Sequence, residues 1–511
     1  MIQINFKDNL FSTKKYWICF IAIFLVFTLF RFDTINFQDP KIEIIAFIIL
    51  SIVSIIILAY FQSNNDSKNL YKTAFVIILI FGLIASVVTP ILYGPDEVEH
   101  FVRAEITSRG DFIPEYVNGS YKTLQSTIDL IEVGSVHYRN LNFDSVNSNA
   151  TIFKTTADTE PINHTLIDYP SAFAQNPFFG YLAPAIGIAI AKLFDLNAIW
   201  LVWLGRMFNI LLYAGLSAIA IKKTPILKMP MLVFACLPLA IYLGATTSID
   251  SFINGTGLIT MAYFFHMYKS PKSTLTKRDI LIFTVLVILL GMAKVTCFTF
   301  ILLLPLVPKA NFKNEKHYYI GFAAILFTAI AAVAWTKFYA NPGFLNSWRG
   351  NKWAFENFSS TRQMDYIMHH KKETIFELMK MPMYLPDALS FSMNYVDFTD
   401  TLRVIFVALI IFLYPADSEE LKSRIYAFMV SFIFYTGTYV SFMISWCEVG
   451  KLYYYYPGVQ IRYFYPVLAL LPFIFNIKIE AIKELKLDNA IITALLLFIS
   501  YRCMRYVIMA Y

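Results

Sequence analysis

Long runs of apolar residues recur along the whole chain; Ile42–Phe61, Thr73–Tyr93 and the shorter Ile280–Ala293 are examples. A hydrocarbon core about 30 Å thick needs roughly 20 such residues per helix, and backbone within lipid must satisfy its own hydrogen bonds. The chain therefore reads as an all-α polytopic membrane protein. Of its 511 residues 58% are hydrophobic and 15% charged, above the roughly 45–50% apolar content of soluble domains, which excludes a soluble enzyme. The five cysteines (Cys19, Cys236, Cys297, Cys447 and Cys503) lie in or beside apolar runs and form no disulfide framework that spacing can reveal.

Apolar runs and turn residues place about 13 transmembrane helices near 16–31, 41–61, 71–93, 198–220, 230–246, 250–268, 280–293, 295–308, 318–339, 401–415, 424–446, 461–476 and 488–507. Every second connection then carries the basic residues: 20 of the 42 Lys and Arg fall in seven short stretches. The positive-inside rule puts those stretches and the N-terminus in the cytoplasm and the C-terminus outside. The net charge of +7 follows from topology and requires no nucleic-acid partner. If Phe178–Phe194 also crossed, Lys222, Lys223 and Lys228 would be exported, so this segment is expected to be a juxtamembrane or re-entrant helix on the outer side. The spans 280–293 and 295–308 are short and read as a bent hairpin with Lys294 at its tip.

Three parts follow: an N-terminal transmembrane hairpin (1–70), a transmembrane core (71–476) and a C-terminal helix (477–511). The core carries two outer loops, 94–177 and 340–400. The first has twelve acidic against five basic residues and is expected to form short helices and turns on the membrane surface.

At the start of that loop the chain reads Gly94-Pro95-Asp96-Glu97-Val98-Glu99-His100-Phe101-Val102-Arg103. Gly-Pro breaks the preceding helix and Asp96 is suited to cap a new one, on which Asp96, Glu99, His100 and Arg103 would share a face. A carboxylate there can act as a general base. A capped, solvated interface helix is the plainer reading of the same residues. Three more ionisable residues in apolar context reach the same outer face: Asp250, Lys294 and Arg462. Ionisable groups at membrane depth are costly and usually serve a site. Arg462 and Lys294 together suit a lipid phosphate, one as a bidentate fork and the other as a point charge. The pair His369-His370 lacks the spacing of a helical zinc site, and Tyr453–Tyr456 reads as an interfacial belt.

Pro95-Asp96-Glu97-Val98-Glu99-His100-Phe101, Asp168-Tyr169-Pro170, Gly180-Tyr181, Gly205-Arg206-Met207-Phe208-Asn209, Ser248-Ile249-Asp250, Ala293-Lys294 and Gly458-Val459-Gln460-Ile461-Arg462-Tyr463-Phe464 resemble, in order, the signatures of the bacterial membrane-protein family known as domain of unknown function 2142. The resemblance runs from about residue 71 to residue 476. That family looks like a branch of the GT-C glycosyltransferases, which take a polyprenyl-phosphate sugar donor at the outer membrane face. Protein O-mannosyltransferases carry a similar Asp-Glu-x-His-Phe motif; here it is one residue longer, which leaves the choice of base between Asp96 and Glu97 open. Ile461 stands where that resemblance leads one to expect glycine, and the hairpin 1–70 precedes the usual first helix.

The resemblance implies a GT-C-like fold and an inverting hexosyltransferase. It would move a sugar from a polyprenyl-phosphate donor to a cell-envelope glycan (polysaccharide, teichoic acid or lipid-linked acceptor) across the bacterial plasma membrane's outer face. Asp96 and Glu97 would be catalytic; Glu99, His100, Arg103, Arg206, Asp250, Lys294, Gln460, Arg462 and Tyr463 would bind substrate. A lipid-linked oligosaccharide flippase or polysaccharide exporter is the alternative, and a catalytically silent scaffold a third. No cofactor is certain; a divalent cation held by Asp96, Glu97, Glu99 and His100 stays open. The N-terminal hairpin is a candidate contact for an envelope-biosynthesis membrane partner.

Overall fold

The computed structural model describes residues 6–29, 40–64, 68–140, 150–152, 154–340, 357–380, 398–414, 419–445, 447–452, 459–477 and 486–510. Much of the loop 340–400 and the tyrosines 453–456 lie outside the described residues. The fold is that of an all-α membrane protein. Among the described residues six helices are long and apolar enough to cross a membrane: Lys41–Ser63, Leu70–Val88, Ile199–Lys223, Glu315–Ala340, Leu421–Ser445 and Asp488–Ile508. The other seven expected spans are shorter, broken or less apolar. The run 230–246 divides into Lys228–Ala235 and Pro238–Gly244, and 461–476 into Ile461–Phe464, Tyr465–Leu468 and Leu471–Phe475. Proline causes these breaks: Pro238, Pro466 and Pro472 each sit in the first turn of a new helix, where the missing N–H costs nothing. The segment Val295–Leu306 is a 3-10 helix packed against Lys277–Ala293, forming the bent hairpin with Lys294 at its tip.

The long helix Ile199–Lys223 is the centre of the core, packed against Leu70–Val88, Leu182–Leu193 and Asp250–Tyr268. Its contact with Leu182–Leu193 is close: a Cβ on Gly187 would lie 2.2 Å from the Leu204 carbonyl oxygen. Both ends of the segment 178–194 touch the short helix Glu97–Ser108, through Tyr181 to His100 at 2.7 Å and Lys192 to Glu105 at 2.8 Å. His100 and Glu105 are separated by about 8 Å along their helix, so both ends of this segment are tied to the same short helix.

The helix ends that charge assigns to the cytoplasm meet one another. Lys222 lies over the Tyr71 ring, Lys269 pairs with Glu419 at 2.8 Å, Leu275 bridges Phe312, Arg424 reaches the Ile474 carbonyl and Gln62 accepts from Asn489. A single polar rim results, opposite the end that carries Asp96 and Arg462.

One region departs from expectation, and the two ends of the chain pack together. The outer loop 94–177 contains an antiparallel two-stranded ribbon, Tyr121–Leu124 with Leu166–Tyr169 in the register Tyr121 to Tyr169, in addition to helices and turns. The last helix, Asp488–Ala510, packs against Lys14–Leu29, Lys41–Ser63 and Leu70–Val88. A Ser54–Ser500 hydrogen bond of 2.9 Å joins two of these helices. The hairpin and the C-terminal helix therefore form one body rather than two separate appendages.

Candidate functional site

The helix Leu70–Val88 ends where Pro90 removes a backbone donor, leaving orphan carbonyls at its C-terminal end. Arg206, fully buried on the long central helix, satisfies them: Nη1 donates to the Ser86 and Thr89 carbonyls at 3.0 and 2.7 Å, and Nη2 to Pro90 at 2.9 Å. Glu97 neutralises Arg206. Its Oε1 and Oε2 accept from Nε and Nη2 at 2.7 Å each, Oε2 also accepts from the Gly94 N–H at 2.8 Å, and Oε1 from the Thr247 N–H at 3.2 Å. Gly94 is needed there, since a Cβ would stand 2.6 Å from Thr246 Cγ2 and 2.8 Å from Glu97 Oε2. Glu97 and Arg206 thus staple the acidic motif to the central helix.

Asn209, one turn further along the central helix, donates to the Thr246 and Ser248 carbonyls at 2.7 and 2.8 Å. This fixes the non-helical link 245–249, backbone that lipid would not tolerate without partners. Asp250 follows that link, and its Oδ2 accepts from Ser248 Oγ at 3.0 Å and from Arg462 Nη1 at 3.1 Å. Arg462 Nη2 donates to Asp96 Oδ2. One guanidinium therefore spans two carboxylates that are far apart in sequence. Asp96 occupies the N-cap position of Glu97–Ser108, but its backbone is left-handed (φ +52°) and its side chain makes no capping bond; it turns instead toward Arg462. At 30% side-chain exposure it is the most open of these groups, against 4% for Arg462 and 6% for Asp250. Lys294 Nζ sits 3.5 Å above the Tyr463 ring, and the Arg462 guanidinium 5.3 Å from the same ring. Arg462 Nε and Gln460 Oε1 are buried with no hydrogen-bond partner among the described residues.

His100 lies beside this cluster. Asn176 Nδ2 donates to the Tyr181 phenol oxygen at 3.1 Å, so the phenol proton is directed to His100 Nδ1 at 2.7 Å, leaving Nε2 as the protonated nitrogen of a neutral ring. Burial is the main cause that pushes His100 down to about 4; Arg462 acts in the same sense and Asp250, Asp96 and Glu97 oppose it. The unfolded histidine titrates near 6.5, so between about 6.5 and 4 the unfolded chain takes up a proton that the folded chain refuses. Stability is therefore fully present above about pH 6.5 and falls as pH drops toward 4. Thermal unfolding of the detergent-purified protein across this range should show that slope, and His100→Gln should flatten it; an unchanged slope would contradict the assignment.

Two of the expected substrate-binding residues, Glu99 and Arg103, bond to the outer loop. Glu99 accepts from Ser171 Oγ at 2.8 Å, the Ala172 N–H at 2.7 Å and the Tyr169 hydroxyl at 3.3 Å; burial raises its carboxyl above the usual range while these bonds oppose the shift. Arg103 donates to the Asn176, Asp111 and Phe112 carbonyls. The face shared by Asp96, Glu99, His100 and Arg103 is thus divided, with Asp96 and His100 at the charged cluster and Glu99 and Arg103 pinned to backbone. Among the described residues no group of three or more His, Cys, Asp and Glu could hold a metal ion. With the oxygens of Glu97 and Glu99 engaged by protein donors, the four-residue set does not fit a divalent cation. Tyr181 and Asn209, which position His100 and the link before Asp250, stand within the quoted signatures but were given no site role from sequence. The polar i, i+3 pair Arg206 and Asn209 on an apolar helix was the available signal for the second.

Fold and site together define a polytopic membrane protein with a charged constellation drawn from four separate segments at one rim. The family described as predicted membrane protein (DUF2142) matches residues 79–471, well over half the chain, and the chain belongs to that family. No curated protein and no solved structure matches it.

Proposed function

We propose that the chain is an inverting GT-C-type glycosyltransferase. It moves one sugar from a polyprenyl-phosphate donor to a hydroxyl of a cell-envelope glycan at the outer face of the bacterial plasma membrane. The observation that carries this reading is Arg462: it joins Asp96 to Asp250 while keeping a buried Nε donor without an acceptor, beside the Lys294 ammonium. An anionic oxygen would satisfy that donor. Two cations and a partly open carboxylate meet where an acceptor hydroxyl and a donor phosphate can both approach. The acceptor oxygen attacks the anomeric carbon and Asp96 takes its proton; the bond from that carbon to the phosphate oxygen breaks, and the departing phosphate keeps the electron pair. Lys294 and Arg462 stabilise the charge that develops there. Because a bound phosphate competes with the carboxylates for Arg462, donor binding loosens the Arg462–Asp96 pair and readies Asp96 as base. Asp250 and Gln460 hold Arg462 and the donor head in register, Tyr463 supports Lys294, and Glu97, Arg206, Glu99 and Arg103 position the motif.

Clustering of these charges at one rim favours surface chemistry over a flippase or exporter, whose ionisable groups line a path near the midplane. The basic opposite rim supports a cytoplasmic N-terminus. Deleting the chain in its host should remove one saccharide from an envelope glycan and raise the pool of polyprenyl-phosphate sugar, both restored by the wild-type chain. An unchanged glycan and an unchanged lipid-linked pool would refute the proposal.

A further inference from the structure

A second cation at membrane depth lies outside this site. Arg502 belongs to the last helix, Asp488–Ala510, beyond the family-matched residues. Its guanidinium carbon stands 4.9 Å from the Tyr506 ring and 5.6 Å from the Tyr242 ring, and Nη2 donates to the Tyr506 hydroxyl at 2.8 Å. Tyr242 and Tyr506 are stacked at 4.9 Å, Tyr93 meets Tyr506 edge-on at 6.3 Å, and the Tyr242 hydroxyl donates to the Tyr93 carbonyl at 3.3 Å. Among the described residues no carboxylate pairs with Arg502.

A permanently charged side chain within a span is costly unless a counter-charge meets it. Here two aromatic faces and one phenol supply partial compensation, but one hydrogen bond uses a single donor of five. Among the described residues the others meet no acceptor, yet they are not sealed in the interior: Arg502 is half-buried and none of its nitrogens is among the enclosed, unpartnered atoms. Helical rise places Arg502 about 21 Å beyond Asp488, which starts at the basic rim. It therefore approaches the opposite boundary, level with Tyr93 and three residues short of Asp96 in the chain it touches. At that depth the anions within reach of an arginine fork are lipid phosphates.

We propose that Arg502, set against the stacked Tyr242–Tyr506 pair, binds the phosphate group of an anionic lipid at the rim that carries Asp96. The lipid is either a bilayer phospholipid or a polyprenyl phosphate, and the inference stands independently of sugar transfer. The Tyr506 hydroxyl holds one edge of the guanidinium, and Tyr93, which meets Tyr506 edge-on, links this position to the start of the acidic motif.

The test is lipid retention by the purified full-length chain in detergent, read by native mass spectrometry. Phosphatidylglycerol, phosphatidylcholine, a polyprenyl phosphate and inorganic phosphate are titrated separately. Phosphatidylglycerol or polyprenyl phosphate should be retained in preference to phosphatidylcholine, and whichever binds more tightly identifies the source; inorganic phosphate should not displace either. Arg502→Gln should weaken retention about tenfold, the scale of a charge-assisted hydrogen bond, and Tyr506→Phe less. Equal retention by wild type and Arg502→Gln overturns the proposal. If Arg502→Gln does not fold, wild type decides: no preference for the anionic lipids over phosphatidylcholine, or full displacement by inorganic phosphate, overturns it equally.

Discussion

Glu97→Gln should sharply reduce accumulation of the folded protein and lower its melting temperature. Arg206 has no exposure in the structure and Glu97 none either, and removing one partner of a buried ion pair leaves an uncompensated charge at a cost of about 3–5 kcal/mol. That is a large share of a marginal stability of roughly 5–15 kcal/mol, and weaker bonds to Gly94 and Thr247 add to it. Glutamine keeps the shape of the side chain, so the effect isolates charge. A double replacement by apolar residues, Glu97→Leu with Arg206→Met, removes the charge problem but strips the Ser86, Thr89 and Pro90 carbonyls of their donor, and should recover only part of the loss. Yield of monodisperse protein and thermal unfolding in detergent read both effects. A Glu97→Gln protein that melts with the wild type would show that the staple carries no load.

The same pair explains what could be read from sequence and what could not. Hydropathy located the six long apolar helices because a span needs an apolar stretch of fixed length, and the basic loops supplied an expected alternation. The breaks at Pro238, Pro466 and Pro472 were visible as residues, but an apolar window averages across them. Convergence of Asp96, Asp250, Lys294 and Arg462 followed from alternation alone, because helices that cross in opposite senses bring prescribed ends together. Roles within the acidic motif did not follow. Asp96 and Glu97 are chemically alike neighbours, and what separates them is Arg206, which arrives from a helix that begins about a hundred residues later. Glu99 and Arg103 looked like site residues for the same reason: spacing on one helix gives a direction, and only the fold shows that the ribbon Tyr121–Leu124 with Leu166–Tyr169 and the segment 171–176 cover that direction. The ribbon itself escaped notice because four-residue strands leave too short an alternation to detect.

Asp96→Asn should lower sugar transfer at saturating donor by about 100- to 10,000-fold, the range that a positioned general base supplies, while leaving the fold intact. The contrast with Glu97→Gln rests on three properties of the site. Asp96 is partly exposed, whereas Glu97 is sealed. Arg462 retains Asp250 as a partner when Asp96 loses its charge, so no buried guanidinium is stranded. The backbone at Asp96 is left-handed, a conformation that asparagine adopts more readily than most residues, so the substitution adds no strain of the kind that alanine would introduce. Asp250→Asn should be milder: it loosens the anchor of Arg462 and should weaken donor affinity more than it slows turnover. Measured together, the variants separate base from scaffold, since melting temperature tracks Glu97 and turnover tracks Asp96. An Asp96→Asn protein that turns over within about threefold of wild type, against the 100-fold minimum expected of a base, would take proton removal away from this residue and leave the cations of Lys294 and Arg462 as the only catalytic groups in the constellation.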